Sequence, residues 1–372
     1  MRKIKLIILL IFVLCISVMG VFYYKETNNN EIGKREESSI IISDPIPKEI
    51  GEGEIAVYNI TLNNPCTYIE GKITLSGPAE IQDISGEGRE FTINVIGKKG
   101  SGNIKINIAS GAFIDSEENQ TKEISKEGLI VDNTPALKSL IEDYMGSDAD
   151  KMGLFYYDIN VGKSFEINAD TPYHPASVSK LYAVITLYDY ALEGKIDINK
   201  GIYYTTRDYE GGAGILRGMD LSKPYALSTL AEYAIIYSDN IAFHMIYRVL
   251  GWKDIKTHYD EIVGHEVTLT DATPNMSARD AYLILRRIYE NKDNNFYYND
   301  LIHNMQNTTA TNKIRQYLSH TIARKGGNYS NYHHDAAIIY ADNPYILTVF
   351  SRGVVDANEK ISQIAKLIDE NR

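Results

Sequence analysis

The spacing of hydrophobic positions changes along the chain, and each change predicts a different kind of element. From Leu6 to Tyr24 the run is unbroken over 19 residues, long enough to cross a bilayer. Arg2, Lys3 and Lys5 stand before it, which orients the amino terminus inward and everything after it outward. A cleaved signal has a shorter core, about 7–15 residues. Cleavage after Gly20 is the alternative, but Val21-Phe22-Tyr23-Tyr24 continues the apolar run. Residues 1–25 are therefore read as an N-terminal membrane anchor or signal. Residues 26–51 are polar and charged, with Pro45 and Pro47, and are read as a flexible linker. From 52 to 133 the period becomes two. Phe91/Ile93/Val95 and Ile104/Ile106/Ile108 alternate with polar residues between Gly-rich breaks at 85–88, 98–102 and 110–111, which predicts short strands in a small β-sandwich.

From 134 to 372 the pattern is mixed. Leu137, Leu140, Ile141 and Tyr144 form a helical stripe, and 153–158 and 163–167 flank the turn Asn160-Val161-Gly162 as a hairpin. Helical spacing then starts at Ser177 and recurs over 229–237, 241–250, 278–289 and 301–305. Strands are predicted at 321–325, 335–340 and 345–351, and a last helix at 358–368. Strands at both ends with helices between predict one antiparallel sheet packed on a helical subdomain, with a binding cleft between them.

Composition removes several function classes. A formal net charge of −11 leaves no basic face for phosphate, so no nucleic-acid partner is expected. Cys15 and Cys66 are too few for a disulfide framework or a Cys-based zinc site. His333 and His334 precede Asp335, but adjacent strand residues face opposite ways, so no metal is expected there, and no cofactor anywhere. Asp115, Glu117 and Glu118 leave calcium as an option against a solvated turn. The glycines around 211–214 lack the helix-opening Lys of a phosphate loop.

The chemistry concentrates in Tyr173-His174-Pro175-Ala176-Ser177-Val178-Ser179-Lys180, followed by the apolar Leu181 to Tyr188. Pro175 stops any earlier helix, and the i, i+3 spacing brings the Ser177 hydroxyl next to the Lys180 amine. A buried lysine of lowered pKa can take a serine proton. His174 has no evident carboxylate partner and is not made a triad base. Ser238-Asp239-Asn240 falls between two predicted helices, and Lys325-Gly326-Gly327 ends a predicted strand.

In this order the three groups resemble the S-x-x-K, S-D-N and K-T-G elements of class A β-lactamases and related penicillin-binding proteins. Gly211 to Leu216, Thr229-Leu230-Ala231, Asn275 to Asp280 and His334 to Ile338 extend the resemblance over 133–372. Residues 100–108, with 111–115 and 118–119, resemble bacterial surface immunoglobulin-like modules. The expected fold class is thus multidomain: an α+β class A β-lactamase-like domain after an all-β sandwich and a transmembrane anchor.

The resemblance implies Ser177 as acylated nucleophile, Lys180 as its base, and Ser238 as proton donor to the leaving nitrogen. It implies Asn240 holding the substrate amide and Lys325 attracting a substrate carboxylate. Backbone N–H groups of Ser177 and Asn328 would form an oxyanion hole, and Gly327 would let the substrate lie along the strand edge. Two departures matter. Gly326 stands where a hydroxyl residue is usual, with Arg324 or Ser330 as substitutes. Glu266-Val267-Thr268-Leu269-Thr270 copies the E-x-x-L-N of the deacylation loop only approximately, leaving Glu266 either as the base or as a surface carboxylate. The implied function is a monomeric, extracytoplasmic, membrane-tethered serine hydrolase acting on β-lactams or D-Ala-type cell-wall amides. A surface binding protein that keeps the fold without turnover is the alternative.

Overall fold

The computed structural model describes residues 38–270 and 272–372, in two compact units. The apolar run at 6–24, expected to be the anchor, lies outside the described residues. No helix within them is long and apolar enough to cross a membrane.

The first unit takes in 103–130 and the described residues up to 98. Its strands are β1 (Ile40–Ile42), β2 (Glu49–Ile50), β3 (Ile55–Tyr68), β4 (Ile73–Ser76), β5 (Ala79–Gly97), β6 (Gly102–Ile108), β7 (Phe113–Asp115) and β8 (Ile124–Val131). They form two four-stranded sheets, β1-β3-β5 with β7 also on β3, and β2-β8-β6-β4. Alternation along them buries Tyr58 and Ile60, Ile93 and Val95, and Ile104, Ile106 and Ile108. Two expectations are corrected. The linker over 26–51 is not a tether throughout: β1 pairs Ile40–Ile42 with Leu62–Ile60, and Ile42 and Ile50 are buried. The break at 85–88 is not a turn but lies inside β5, where the register with β3 slips between Thr61 and Cys66. The Asp115 carboxylate is occupied by the N–H groups of Glu117 and Asn119 and the Asn64 and Asn119 amides, as a polar turn requires.

The second unit, 131–372 with 99–102, carries the chemistry. In order come α1 (Thr134–Met145), β9 (Met152–Asp158), β10 (Ser164–Ile167), α2 (Lys180–Leu192), α3 (Leu227–Ile236), α4 (Asn240–Leu250) and α5 (Trp252–Val263). Then follow α6 (Ala278–Asn291), α7 (Tyr297–Gln306), β11 (Thr321–Tyr329), β12 (Tyr332–Tyr340), β13 (Tyr345–Arg352) and α8 (Ala357–Asn371). The sheet is antiparallel throughout, ordered β10-β9-β13-β12-β11. Its two faces explain the continuous apolar runs of β12 and β13. Ile338, Ile346 and Phe350 join the core of α2 to α7, while Ala337, Ile339 and Leu347 join α1 and α8 on the other side.

Helix α2 is buried on all sides from Lys180 to Asp189, so a chain segment that carries an amine runs through the middle of the domain. Helix α5 was not anticipated, although Ile255, Tyr259 and Val263 recur every four residues between Gly251 and Gly264. Strand β11 continues through Lys325-Gly326-Gly327 instead of ending there, because Asn328 and Tyr329 still pair with His333 and Tyr332.

Candidate active site

The nucleophile turn is held from three directions. Backbone bonds join Tyr173 to Met276 in both senses, at 3.1 and 3.0 Å. Ala176–Ser179 forms a short 3₁₀ turn running into α2, with Ala176 at φ +48°, a backbone region that non-glycine residues seldom occupy. From below, His334 Nε2–H donates to the His174 carbonyl at 2.9 Å, and the Ser351 N–H donates to His334 Nδ1. Burial pushes the His334 pKa down to about 3, so the ring stays neutral in this tautomer. It is a support beneath the turn.

Lys180 Nζ lies 2.9 Å from Ser177 Oγ, 2.8 Å from Asn240 Oδ1 and 3.5 Å from Ser238 Oγ. Lys325 Nζ is 3.0 Å from the same Ser238 Oγ. Ser177, Lys180, Ser238, Asn240 and Lys325 thus form one connected chain of polar contacts. Burial lowers Lys180 to about 8, against the opposing pull of Glu210 and Asp239. Burial, and then the charge of Lys180, hold Lys325 well below the ordinary lysine range. Two amines sharing one hydroxyl in a buried site cannot both carry charge cheaply.

Ser238 sits at φ +53° just before α4, and Asp239 caps that helix by accepting from the Ala242 N–H at 2.9 Å. The other Asp239 oxygen takes the N–H groups of Ile215 (2.6 Å) and Leu216 (2.8 Å), tying the glycine-rich loop to the serine.

Strand β11 forms the opposite wall. Arg324 and Asp335 make a buried pair, Nη2 to Oδ2 at 2.8 Å and Nε to Oδ1 at 3.0 Å. A Cβ on Gly326 would lie 2.7 Å from Arg324 Nη2, which accounts for the missing hydroxyl residue. Arg324 is committed to Asp335 and the Ala310 carbonyl, and Ser330 lies exposed at the hairpin tip. Lys313, which sequence reasoning missed, is 1 % exposed and donates to the carbonyls of Gly327 and His334 and to Asn328 Oδ1. Lys313, Arg324 and Lys325 line a cavity of about 210 Å³ beside Ser177 and Ser238.

The need for glycine at 327 arises from the protein itself. A Cβ there would lie 2.9 Å from Ser177 N, 3.0 Å from Ala176 Cβ and 3.1 Å from the Pro175 carbonyl. Gly327→Ala is therefore expected to push the nucleophile turn away from β11 and slow acylation of Ser177 about 100-fold, since misplacement near 1 Å has that effect. The rate of covalent adduct formation measures it.

A larger cavity, about 640 Å³, opens in front of Ser177 and Lys180 and is bordered by Glu210, Asn240, Phe243, His244, Tyr247 and Trp252. Glu266 is not there, which corrects its candidacy as base. Its side chain is 88 % exposed, 3.6 Å from Lys256, and borders a separate depression with Asp170, His265 and Asp280. The two-residue strands Leu269–Thr270 and Thr273–Pro274 pair antiparallel after it, and of the described residues in this loop it is Ala272 and Thr273 that border the cavity of Ser177. Among the described residues, the carboxylate that lines the nucleophile's cavity is Glu210, which the sequence reading passed over. The only signal for it was its position directly before the glycine pair that leads to Ser238.

No curated protein matches the chain. Among solved structures, a PBP-A structure superposes with a TM-score of 0.59 at 20% identity, covering 63% of this chain and 95% of that one. A point mutant of PBP-A, captured as an acyl-enzyme complex with penicillin G, gives 0.59 at 21% identity, covering 63% and 96%. A β-lactamase from Sphaerobacter thermophilus gives 0.58 at 16% identity, covering 64% and 96%. These likenesses establish a common fold for the second unit. Residues 136–371 also match the family described as the Beta-lactamase enzyme family. With the sheet, the central helix and the serine–lysine cluster in place, the chain belongs to that β-lactamase and penicillin-binding-protein-like family.

Proposed function

We propose that this protein is a serine hydrolase that forms a covalent acyl-enzyme on Ser177 with β-lactams or D-Ala-type cell-wall amides. The contact chain Ser177–Lys180–Ser238–Lys325 carries this reading. Neutral Lys180 takes the Ser177 proton as Oγ bonds to the amide carbon, and the backbone N–H groups of Ser177 and Asn328 receive the developing oxyanion. As the C–N bond breaks, the nitrogen leaves with the Ser238 proton, which Lys180 replaces at 3.5 Å. The substrate carboxylate is drawn to the cavity lined by Lys313, Arg324 and Lys325, whose amines and guanidinium are donors, and Asn240 orients the amide.

The test is intact-protein mass spectrometry after incubation with a panel of β-lactams. The expected result is one adduct of the drug's mass on the wild type and none on Ser177→Ala. Absence of any adduct would favour the alternative, a surface binding protein that keeps the fold without turnover. The misplacement of Glu266 is the observation on that side.

For the remainder of the chain, the same reading has 6–24 tethering a monomer to the outer face of a membrane. The all-β unit then serves as an immunoglobulin-like spacer or binding module.

A further inference from the structure

The cavity before Ser177 holds a polar pair that acylation does not use. Glu210 Oε2 lies 2.5 Å from His244 Nε2, and both side chains border the cavity together with Ser177 and Lys180. His244 follows Asn240 by one turn of α4 and shares its face, and Asn240 Oδ1 touches Lys180. The backbone beside Glu210 is tied to the same asparagine: Asn240 Nδ2 donates to the Gly211 carbonyl at 2.7 Å, and Asn240 N–H to the Ala213 carbonyl at 3.1 Å.

The loop that carries Glu210 is built for one conformation. Gly212 and Gly214 hold φ of +96° and +127°, and a Cβ on Gly214 would fall 2.3 Å from Asp239 Oδ2. Glu210 borders the same cavity as Lys180, and among charged neighbours it has the largest effect on that amine. The described residues of the 264–276 loop that reach this cavity are Ala272 and Thr273, neither of which can accept a proton.

We propose that Glu210, positioned by His244, is the general base that activates water against the Ser177 ester. This rests on the acyl-enzyme reading above and assigns its second half. A water in the cavity gives a proton to the Glu210 carboxylate as its oxygen bonds to the ester carbon. The tetrahedral intermediate collapses with cleavage of the C–Oγ bond. The proton on Glu210 then passes through Lys180 to Ser177 Oγ, so ester and water yield a free acid and the serine hydroxyl. The base comes from the loop ahead of the Ser-Asp-Asn group, opposite the loop where Glu266 was sought.

The test follows formation and decay of a penicillin adduct on the full chain by quenched-flow mass spectrometry, in wild type, Glu210→Gln and Glu210→Asp. Glu210→Gln is isosteric at a half-exposed position, so the fold is kept. At about pH 9, where Lys180 is neutral with or without the Glu210 charge, the expected result is adduct formation within about twofold of wild type, decay slowed about 100-fold or more, and partial recovery of decay in Glu210→Asp. Decay at the wild-type rate in Glu210→Gln overturns the proposal, as does a loss of formation equal to the loss of decay. A wild type that never forms an adduct counts instead against the acyl-enzyme reading.

Discussion

Lys180→Ala is expected to slow acylation of Ser177 about 10²–10⁴-fold, the range over which a positioned general base contributes. Lys180 is 2 % exposed and its Nζ is 2.9 Å from Ser177 Oγ, so removal takes away the amine at bonding distance from the hydroxyl. Lys325 does not take over, because its amine is bonded to Ser238 Oγ and the Gly326 carbonyl. The pH profile separates a base from a structural part. Burial disfavours the ammonium, and the pKa falls to about 8. Only the neutral amine accepts a proton, so wild-type acylation should rise with pH through about 8 and level off above it. In Lys180→Ala that limb should vanish along with most of the rate. Stopped-flow acylation by a chromogenic β-lactam between pH 6 and 10 gives both readings. A variant retaining the limb would assign it to another group.

Contiguity decided what was legible in the sequence. Ser177 and Lys180 lie three positions apart on an apolar helix, and Ser238-Asp239-Asn240 is an unbroken tripeptide at a helix start, so local spacing located both. Glu210 and His244 meet only because α4 and the preceding glycine loop fold onto one another, and no local period joins them. Lys313 was hidden for the same reason: its three acceptors lie on β11 and β12. Glu266 misled because an E-x-x-L pattern reports which residues are present and not how far the loop reaches. In the fold, the buried strands and helices were legible from their periods, whereas β1 and β2 are short and gain their pairing from distant partners. Gly86 and Gly88 looked like a turn because glycine marks any left-handed backbone position, including one within a bulged strand.

The largest loss of stability is expected from Asp335→Ala. Arg324 is 1 % exposed and Asp335 fully buried, and the carboxylate also accepts the Ile314 N–H at 3.1 Å. Without Asp335 a guanidinium charge stays buried with the Ala310 carbonyl as its remaining acceptor, which costs about 3–5 kcal/mol. For a domain of this size that lowers Tm by roughly 6–20 °C. The cost stems from the orphaned charge, so replacing both partners by apolar residues, Arg324→Met with Asp335→Leu, should recover most of it. Thermal melts of wild type, single and double variants decide the point. A double variant as unstable as the single would mean that the strand contacts of Asp335, and not the lone charge, set the loss. The pair also explains the strand's sequence. In the β11–β12 register Gly326 lies opposite Asp335, and the missing side chain leaves the space that the Arg324 guanidinium fills. Restoring a hydroxyl residue at 326 should therefore succeed only where Arg324 is also shortened, because strand packing, and not substrate contact, fixes glycine there.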